Sequence, residues 1–281
     1  MAATLPIAYL DGEFQALEDI RISPLDRGFL FGDAVYEVVP IHGGEPLLID
    51  AHVGRLNRSL GALRIDNPHS EAEWRKLVAE LTTRNGGGNL AVYIQVSRGT
   101  DAGRDHAFPN DVTPTVFAMA TELVQHDYTD GISAITLPDN RWGRCDIKAT
   151  ALLANVLAKQ AAIEDGAAEA ILLWNGDVTE GSVSSVLVVE NGEIVRRPHG
   201  NEVLPGTTTD FVVEVARRSG FVVHEQNISE QRLRSADEIW LTGATKGIAP
   251  VVELDGAPVG TGAPGPVWRQ VTKHFEESLH G

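Results

Sequence analysis

Asn140 to Ala162 reads NRWGRCDIKATALLANVLAKQAA. It sets a single lysine, Lys148, just before a helical pattern in which Leu152, Leu153, Val156, Leu157 and Ala161 recur at three- and four-residue spacing. Thr150 is placed to cap that helix, so Lys148 is expected in the loop that enters it. Two readings of such a lysine stand side by side. It is a surface ammonium with a snorkelling stem, or it is an amine that forms a Schiff base in a site that lowers its pKa. The stretch alone leaves both open.

Downstream of this stretch, Ala168 to Trp174 predicts a strand that Asn175-Gly176 turns into Asp177 to Glu180. Ser185 to Glu190 continues after Gly181, and Asn191-Gly192 predicts another hairpin. Leu204-Pro205-Gly206 leads into a helix over Thr207 to Arg218. Strands over Phe221 to Glu225, Glu238 to Thr242 and Ala249 to Leu254 precede a closing amphipathic helix, Pro266 to Leu279. Upstream, Asp11-Gly12 predicts a tight hairpin within Ile7 to Leu17. Gly28 and Gly32 mark unusual dihedrals or close approach before a buried strand from Ala34 to Ile41. Asp50 is a candidate cap for a helix to about Leu63. Ser70 and Glu73 form a capping-box pattern for a second helix, Glu71 to Arg84. Leu90 to Val96 and Pro114 to Thr121 then predict neighbouring strands, with a polar loop between them that carries Arg104 and His106.

Apolar patterning lapses over 122–131, where Asp127, Asp130 and Gly131 suggest a linker. The expected organisation is an N-terminal α/β domain over 1–121, a linker over 122–131 and a C-terminal α/β domain over 132–281 that carries Lys148. A strand at Ile132 to Leu137 would open the second domain. The fold class is α+β (α/β-type) in two domains.

Composition narrows the function. With 39 acidic against 23 basic side chains, a net charge of -16 and a pI near 4.9, the chain lacks the basic face that nucleic-acid binding needs. One cysteine, Cys145, excludes an internal disulfide and fits a reducing compartment. The N-terminal MAATLPIAYLDGEF lacks a basic start and its apolar run is interrupted by Asp11 and Glu13, so neither a signal peptide nor a membrane span is expected there, and the expected location is the cytoplasm. No metal site is expected, since the nine histidines show no paired spacing. Gly-x-Ser-x-Gly, His-Glu-x-x-His and a Gly-rich loop ending in Gly-Lys-Ser/Thr are all absent.

Three further places suit an anionic cofactor, each with an ordinary reading beside it. Gly206-Thr207-Thr208 at a helix start offers backbone N–H groups, hydroxyls and the positive end of a helix dipole to a phosphate, or merely caps the helix. Arg55 supplies a countercharge, or is a solvated arginine on a helix face. Glu180, at a strand end before Gly181-Ser182, can accept from a protonated ring nitrogen, or is a surface charge.

Four ordered blocks decide between these readings: DRGFLFGDAVYEVV (Asp26 to Val39), RDHAFP (Arg104 to Pro109), RWGRCDIKATALLANVLAKQ (Arg141 to Gln160) and VTEGSVSS (Val178 to Ser185). In these blocks, and over nearly its whole length, the chain resembles the fold-type IV pyridoxal-phosphate enzymes, and within them most resembles D-amino acid transaminases. The resemblance implies a PLP-dependent aminotransferase that exchanges amino groups between D-amino acids and 2-oxo acids, with pyridoxal 5'-phosphate as cofactor and a homodimer as the working form. It makes Lys148 the Schiff-base lysine and Glu180 the partner of the pyridine nitrogen. Arg55, Gly206, Thr207 and Thr208 would hold the phosphate. Tyr36 would stand beside the lysine and the substrate carboxylate. Arg104 and His106 would bind the substrate carboxylate from the neighbouring subunit.

The chain also departs from that pattern. Ser185 stands where an asparagine is usual, Val183 where the D-amino acid enzymes have a serine, and Thr209 where an arginine is common. The family's phosphate-binding threonine falls on Ala244, so Thr245 or the backbone would substitute. Less favoured readings are an (R)-amine transaminase, an L-branched-chain aminotransferase, the aminodeoxychorismate lyase, and a small-ligand binding module on the same scaffold.

Overall fold

The computed structural model describes residues 2–279; residues 1, 280 and 281, at the outer ends of the expected domains, lie outside them. The chain forms two compact units. The first runs to Val124 and takes in Ile147–Ala151, and the second comprises Gln125–Asp146 and the chain from Leu152 onward.

In the first unit, Asp11 (φ 46°) and Gly12 (φ 105°) turn β1 (Thr4–Leu10) into β2 (Glu13–Ala16), as an Asp-Gly pair should. There follow a single turn of helix α1 (Arg27–Phe31), β3 (Ala34–His42), β4 (Glu45–Pro46), helices α2 (Ile49–Leu63) and α3 (Glu71–Arg84), then β5 (Leu90–Ser97) and β6 (Thr115–Glu122). The strands make one antiparallel sheet in the order β2-β1-β6-β5-β3-β4. Val39, Ile41, Val92 and Ile94 of the sheet pack with Leu56 and Leu60 of α2 and with Trp74, Val78 and Leu81 of α3. Each such side chain contributes roughly 1.5–3 kcal/mol through burial.

Both glycines flagged before β3 are needed for shape. Gly32 ends α1 at φ 65°, and a Cβ on Gly28 would stand 2.9 Å from the Ser97 Cβ. Ser70 and Glu73 close the expected capping box on α3. Asp50 does not cap α2. Leu48, itself at φ 53°, precedes the helix, which starts one residue before Asp50, and the Asp50 carboxylate instead accepts from Arg75 Nε at 2.9 Å.

The lysine segment differs from expectation in where it belongs. Ile147–Ala151 lies along the edge of β3: Tyr36 N–H donates to the Lys148 carbonyl at 2.9 Å, Thr150 N–H donates to the Ala34 carbonyl at 3.0 Å, and Val35 bridges Ala149. Ile147 and Ala149 join the first unit's core. The physical cause is an open strand edge. β4 pairs only with Ile41 and His42, leaving the backbone groups near Ala34 to Tyr36 in need of partners. So Lys148 is a residue of the first unit, not of a domain 132–281. Thr150 does not cap the next helix either. Its hydroxyl lies 3.3 Å from the Gly32 carbonyl oxygen.

The second unit contains β7 (Ile132–Pro138), α4 (Leu153–Glu164), β8 (Glu169–Trp174), β9 (Asp177–Gly181), β10 (Ser185–Glu190), β11 (Glu193–Arg196), α5 (Thr207–Arg218), β12 (Val223–Glu225), α6 (Glu230–Ser235), β13 (Glu238–Gly243), β14 (Gly247–Leu254), β15 (Ala257–Pro258) and α7 (Pro266–Leu279). Its mixed sheet runs β12-β11-β10-β13-β14-β7-β8-β9, with β15 on β14. The apolar run of β10 is buried on both faces: Val186 and Val188 enter one core, while Leu187 and Val189 enter the other, beneath α5 and α7. The helix after Lys148 is present, but its apolar face is not a core face. Leu153, Val156 and Leu157 are 73%, 59% and 61% exposed, and Ala162 is the buried residue of α4.

Candidate active site

Alternation along β3 turns Glu37 inward, and α2 presents His52 and Arg55, three residues apart and so on one helix face, toward it. Arg55 grips the carboxylate with both prongs, Nε to Oε1 at 2.7 Å and Nη2 to Oε2 at 2.8 Å. His52 Nδ1 lies 2.7 Å from Oε2. Burial alone would raise the Glu37 pKa; Arg55, then His52, hold it down at about 2. Burial lowers the His52 pKa against the pull of Glu37.

Lys148 stands beside this charge cluster. Its backbone N–H donates to Ser59 Oγ at 3.2 Å, and its Nζ lies 4.1 Å from the centre of the Tyr36 ring. Burial, then the Arg55 cation, lower its pKa from the ordinary lysine value to about 7, with Glu37 opposing. An amine of that kind is half neutral near pH 7 and can act as nucleophile or general base. Tyr36 keeps its proton: burial and Glu37 raise its pKa, against Arg55. The first unit therefore brings Tyr36, Arg55 and Lys148 together. Arg104 and His106 are exposed in the β5–β6 loop of the same unit, where the Arg104 guanidinium lies 4.9 Å over the Phe31 ring.

In the second unit, Glu180 lies at the end of β9 and is buried. Arg141, whose side chain is 5% exposed, donates to Glu180 Oε1, and the Leu204 N–H donates to Oε2 at 2.9 Å. Arg141 also clasps Asp139, Nε to Oδ1 at 2.9 Å and Nη2 to Oδ2 at 2.7 Å, while the Thr179 hydroxyl donates to Oδ2 at 2.6 Å. Burial pushes the Asp139 pKa up, but the hydrogen bonds from Arg141 and Thr179 leave it below the usual carboxylate range.

Leu204 leads directly to Gly206, the residue before α5, which carries no side-chain cap. A Cβ there would stand 2.5 Å from Thr209 Oγ1 and 2.8 Å from Ser185 Oγ, so any side chain would force those hydroxyls to move. Thr207 and Thr208 are buried in the first turn, and Thr209 Oγ1 meets Thr242 Oγ1 at 2.7 Å. Glu180, Ser185, Gly206 and Thr209 line one small cavity of about 30 Å³. The second unit thus gathers Glu180, Gly206, Thr207 and Thr208. Thr245 is an exposed residue of the turn between β13 and β14.

A half-buried amine titrating near neutrality and a buried carboxylate held by arginine match amino-group chemistry, and the class IV amino-transferase profile covers residues 34–254. The chain belongs to the class IV aminotransferases. This aminotransferase is 36% identical over 271 residues to the D-alanine aminotransferase of Bacillus licheniformis, across 96% of its own length and 95% of that protein's. It is 35% identical over 274 residues to the D-alanine aminotransferase of Staphylococcus aureus (strain MW2), across 96% and 97%. Its fold matches a T.th. branched-chain amino acid aminotransferase solved with N-(5'-phosphopyridoxyl)-L-glutamate, with a TM-score of 0.90 at 27% identity, over 99% of this chain and 95% of that one.

Four polar residues of this aminotransferase's sites carry no role in the sequence reading: Glu37, His52, Asp139 and Arg141. Glu37 had a signal, being a carboxylate inside the apolar run AVYEVVPI, which burial tolerates only with partners. Arg141 stands inside a quoted block, but nothing local couples it to Glu180, 39 residues away.

Proposed function

We propose that this aminotransferase uses pyridoxal 5'-phosphate to move amino groups between D-amino acids, such as D-alanine and D-glutamate, and 2-oxo acids in alternating half-reactions. The donor set fits that cofactor. An aldehyde needs an amine that is neutral near pH 7, which Lys148 supplies. A pyridine nitrogen needs a carboxylate, and Glu180 offers one whose charge Arg141 balances. A phosphate needs backbone N–H groups, which the start of α5 with Gly206, Thr207 and Thr208 offers; the family resemblance adds Arg55 and Thr245 as candidate contacts. Solved relatives agree in what they hold, N-(5'-phosphopyridoxyl)-L-glutamate in one branched-chain enzyme structure and pyridoxamine 5'-phosphate in another.

When bound, the cofactor supplies an electron sink for the pair left on the substrate α-carbon. Lys148 Nζ removes the α-proton and returns it later in the exchange. Tyr36 orients that amine, and Glu37 with His52 orients Arg55. Arg104 and His106 take the α-carboxylate and so decide which hand presents its hydrogen to the lysine. The observation that carries the stereochemical part is Arg104. It makes no salt bridge among the described residues of a strongly acidic chain, which suits a guanidinium kept for a substrate. The working form is a homodimer, supported by the exposed apolar face Leu153, Val156 and Leu157 of α4. No helix among the described residues is long and apolar enough to cross a membrane; a cytoplasmic location belongs to the same proposal and rests on composition.

The structural match to branched-chain enzymes favours a second reading, an L-branched-chain aminotransferase. Single-turnover half-reactions separate the two. Cofactor-loaded protein mixed with D-alanine converts to the amine form, followed by absorbance. Conversion by L-leucine alone would refute the D-amino acid assignment.

A further inference from the structure

The short helix α1 is built against the loop that carries Arg104 and His106. Arg27 is 3% exposed, although it is an arginine in a five-residue helix. Its Nε donates to Asp33 Oδ2 at 2.9 Å, and its two other nitrogens reach the loop's backbone, Nη1 to the Asp105 carbonyl at 2.7 Å and Nη2 to the His106 carbonyl at 3.4 Å. These carbonyls belong to the residue after Arg104 and to His106 itself. A planar guanidinium reaches two carbonyls and a carboxylate from three separate nitrogens; an ammonium has its three donors on one nitrogen and does not reproduce that spread.

Phe31, on the same turn of helix, supplies the second contact. Its ring lies 4.8 Å from the Arg27 guanidinium carbon, 4.9 Å from that of Arg104, and 5.2 Å from the His106 ring. A further set of contacts fastens the loop at Phe108. The Phe108 ring lies 3.7 Å from the guanidinium of Arg98 and 4.7 Å from that of Arg64. Arg98 shares Asp33 with Arg27, donating at 2.8 and 3.0 Å. Bonds within the loop, Ala102 N–H to Asp101 Oδ1 at 2.7 Å and Ala107 N–H to Asp105 Oδ1 at 3.1 Å, are local, and at its start Thr100 bridges Asp26. Asp33 balances two arginines, and Arg104 has no ion pair with a carboxylate among the described residues.

We propose that Arg27 and Phe31 are positioning residues for substrate recognition: they set where the Arg104 and His106 pair stands, and through it the affinity for an α-carboxylate and the preference for one hand of amino acid. The proposal rests on the reading that Arg104 and His106 take the substrate carboxylate. Neither Arg27 nor Phe31 touches the substrate in this scheme.

The test uses holoenzymes carrying Arg27→Gln, Arg27→Lys, Phe31→Leu, Arg104→Ala, and Arg27→Gln with Arg104→Ala. Three quantities are read: KM and kcat for D-alanine, the D- over L-alanine ratio of kcat/KM, and the inhibition constant of propionate, a carboxylate with no amino group to transfer. Because misplacement of a binding group by about 1 Å can cost on the order of a hundredfold, Arg27→Gln should raise KM and the propionate constant by about tenfold or more. It should change kcat by less than about threefold and lower the D/L ratio. Arg27→Lys should resemble Arg27→Gln despite keeping its charge. Added to Arg104→Ala, Arg27→Gln should bring no further rise, since it acts through the residue already removed.

Unchanged KM and propionate binding in Arg27→Gln, or the same rise on top of Arg104→Ala, would overturn the proposal. If Arg104→Ala by itself leaves both quantities unmoved, the carboxylate reading falls first and the proposal with it, an outcome distinct from an inert Arg27. If Arg27→Gln gives no folded protein, Phe31→Leu alone and with Arg104→Ala carries the same comparison.

Discussion

Replacing Lys148 with methionine in the cofactor-free protein removes a half-buried titrating amine while keeping a stem of similar length. Burial and Arg55 hold the native Lys148 pKa at about 7, against an ordinary value of 10.5. That gap costs the native state about 4–5 kcal/mol when the unfolded lysine is charged, at 1.36 kcal/mol per unit. The sign follows from proton counts. Between the native and unfolded pKa values the unfolded chain binds more protons through this group, so stability rises with pH there, and the penalty is fully present below about pH 7. Lys148→Met is therefore expected to be more stable than the parent at pH 7. That advantage should shrink by about 2 kcal/mol between pH 7 and pH 9 as the parent recovers. Urea unfolding of both proteins at pH 7, 8 and 9, followed by circular dichroism, measures the difference, and a constant offset from packing drops out of its slope. A difference that stays flat with pH, or widens, would refute the claim that burial and Arg55 prepare this lysine.

Two further perturbations probe the second unit. Arg141→Met leaves Asp139 and Glu180 buried without their counterion and is expected to cost about 3–5 kcal/mol at neutral pH by urea unfolding. Because the Asp139 pKa is lowered in the folded chain, the parent's advantage should be present above about pH 4 and fade as pH falls below it. Gly206→Ala places a methyl against Thr209 and Ser185 and should cost about 1–3 kcal/mol in a thermal or urea melt, with repacking of the Thr209 and Thr242 hydroxyl pair.

Where neighbours in sequence are neighbours in space, the chain could be read directly. The Asp-Gly and Asn-Gly turns, the Ser70–Glu73 capping box, α3, α5 and α7 all follow from rules that act within a few residues. The family blocks named Lys148, Glu180 and Tyr36, the wider resemblance added Arg55, and Tyr36 and Arg55 do gather around the lysine. The short helices α1 and α6 were missed because a turn or so of helix has too little period to detect.

Nothing local could reveal which side of α4 is buried. Its leucines repeat at helical spacing, yet they face out, because what covers a helix is decided by the whole packing. The same holds for Lys148. Sequence placed it before a helix and, through resemblance, gave it a role. Only tertiary structure drew Ile147–Ala151 onto the open edge of β3 and set Lys148 beside Arg55 and Tyr36, and the chemistry of an amine depends on that surrounding charge and dryness rather than on its neighbours in the chain. Turns and caps are short-range and written in the chain; electrostatics and burial are sums over residues far apart in it.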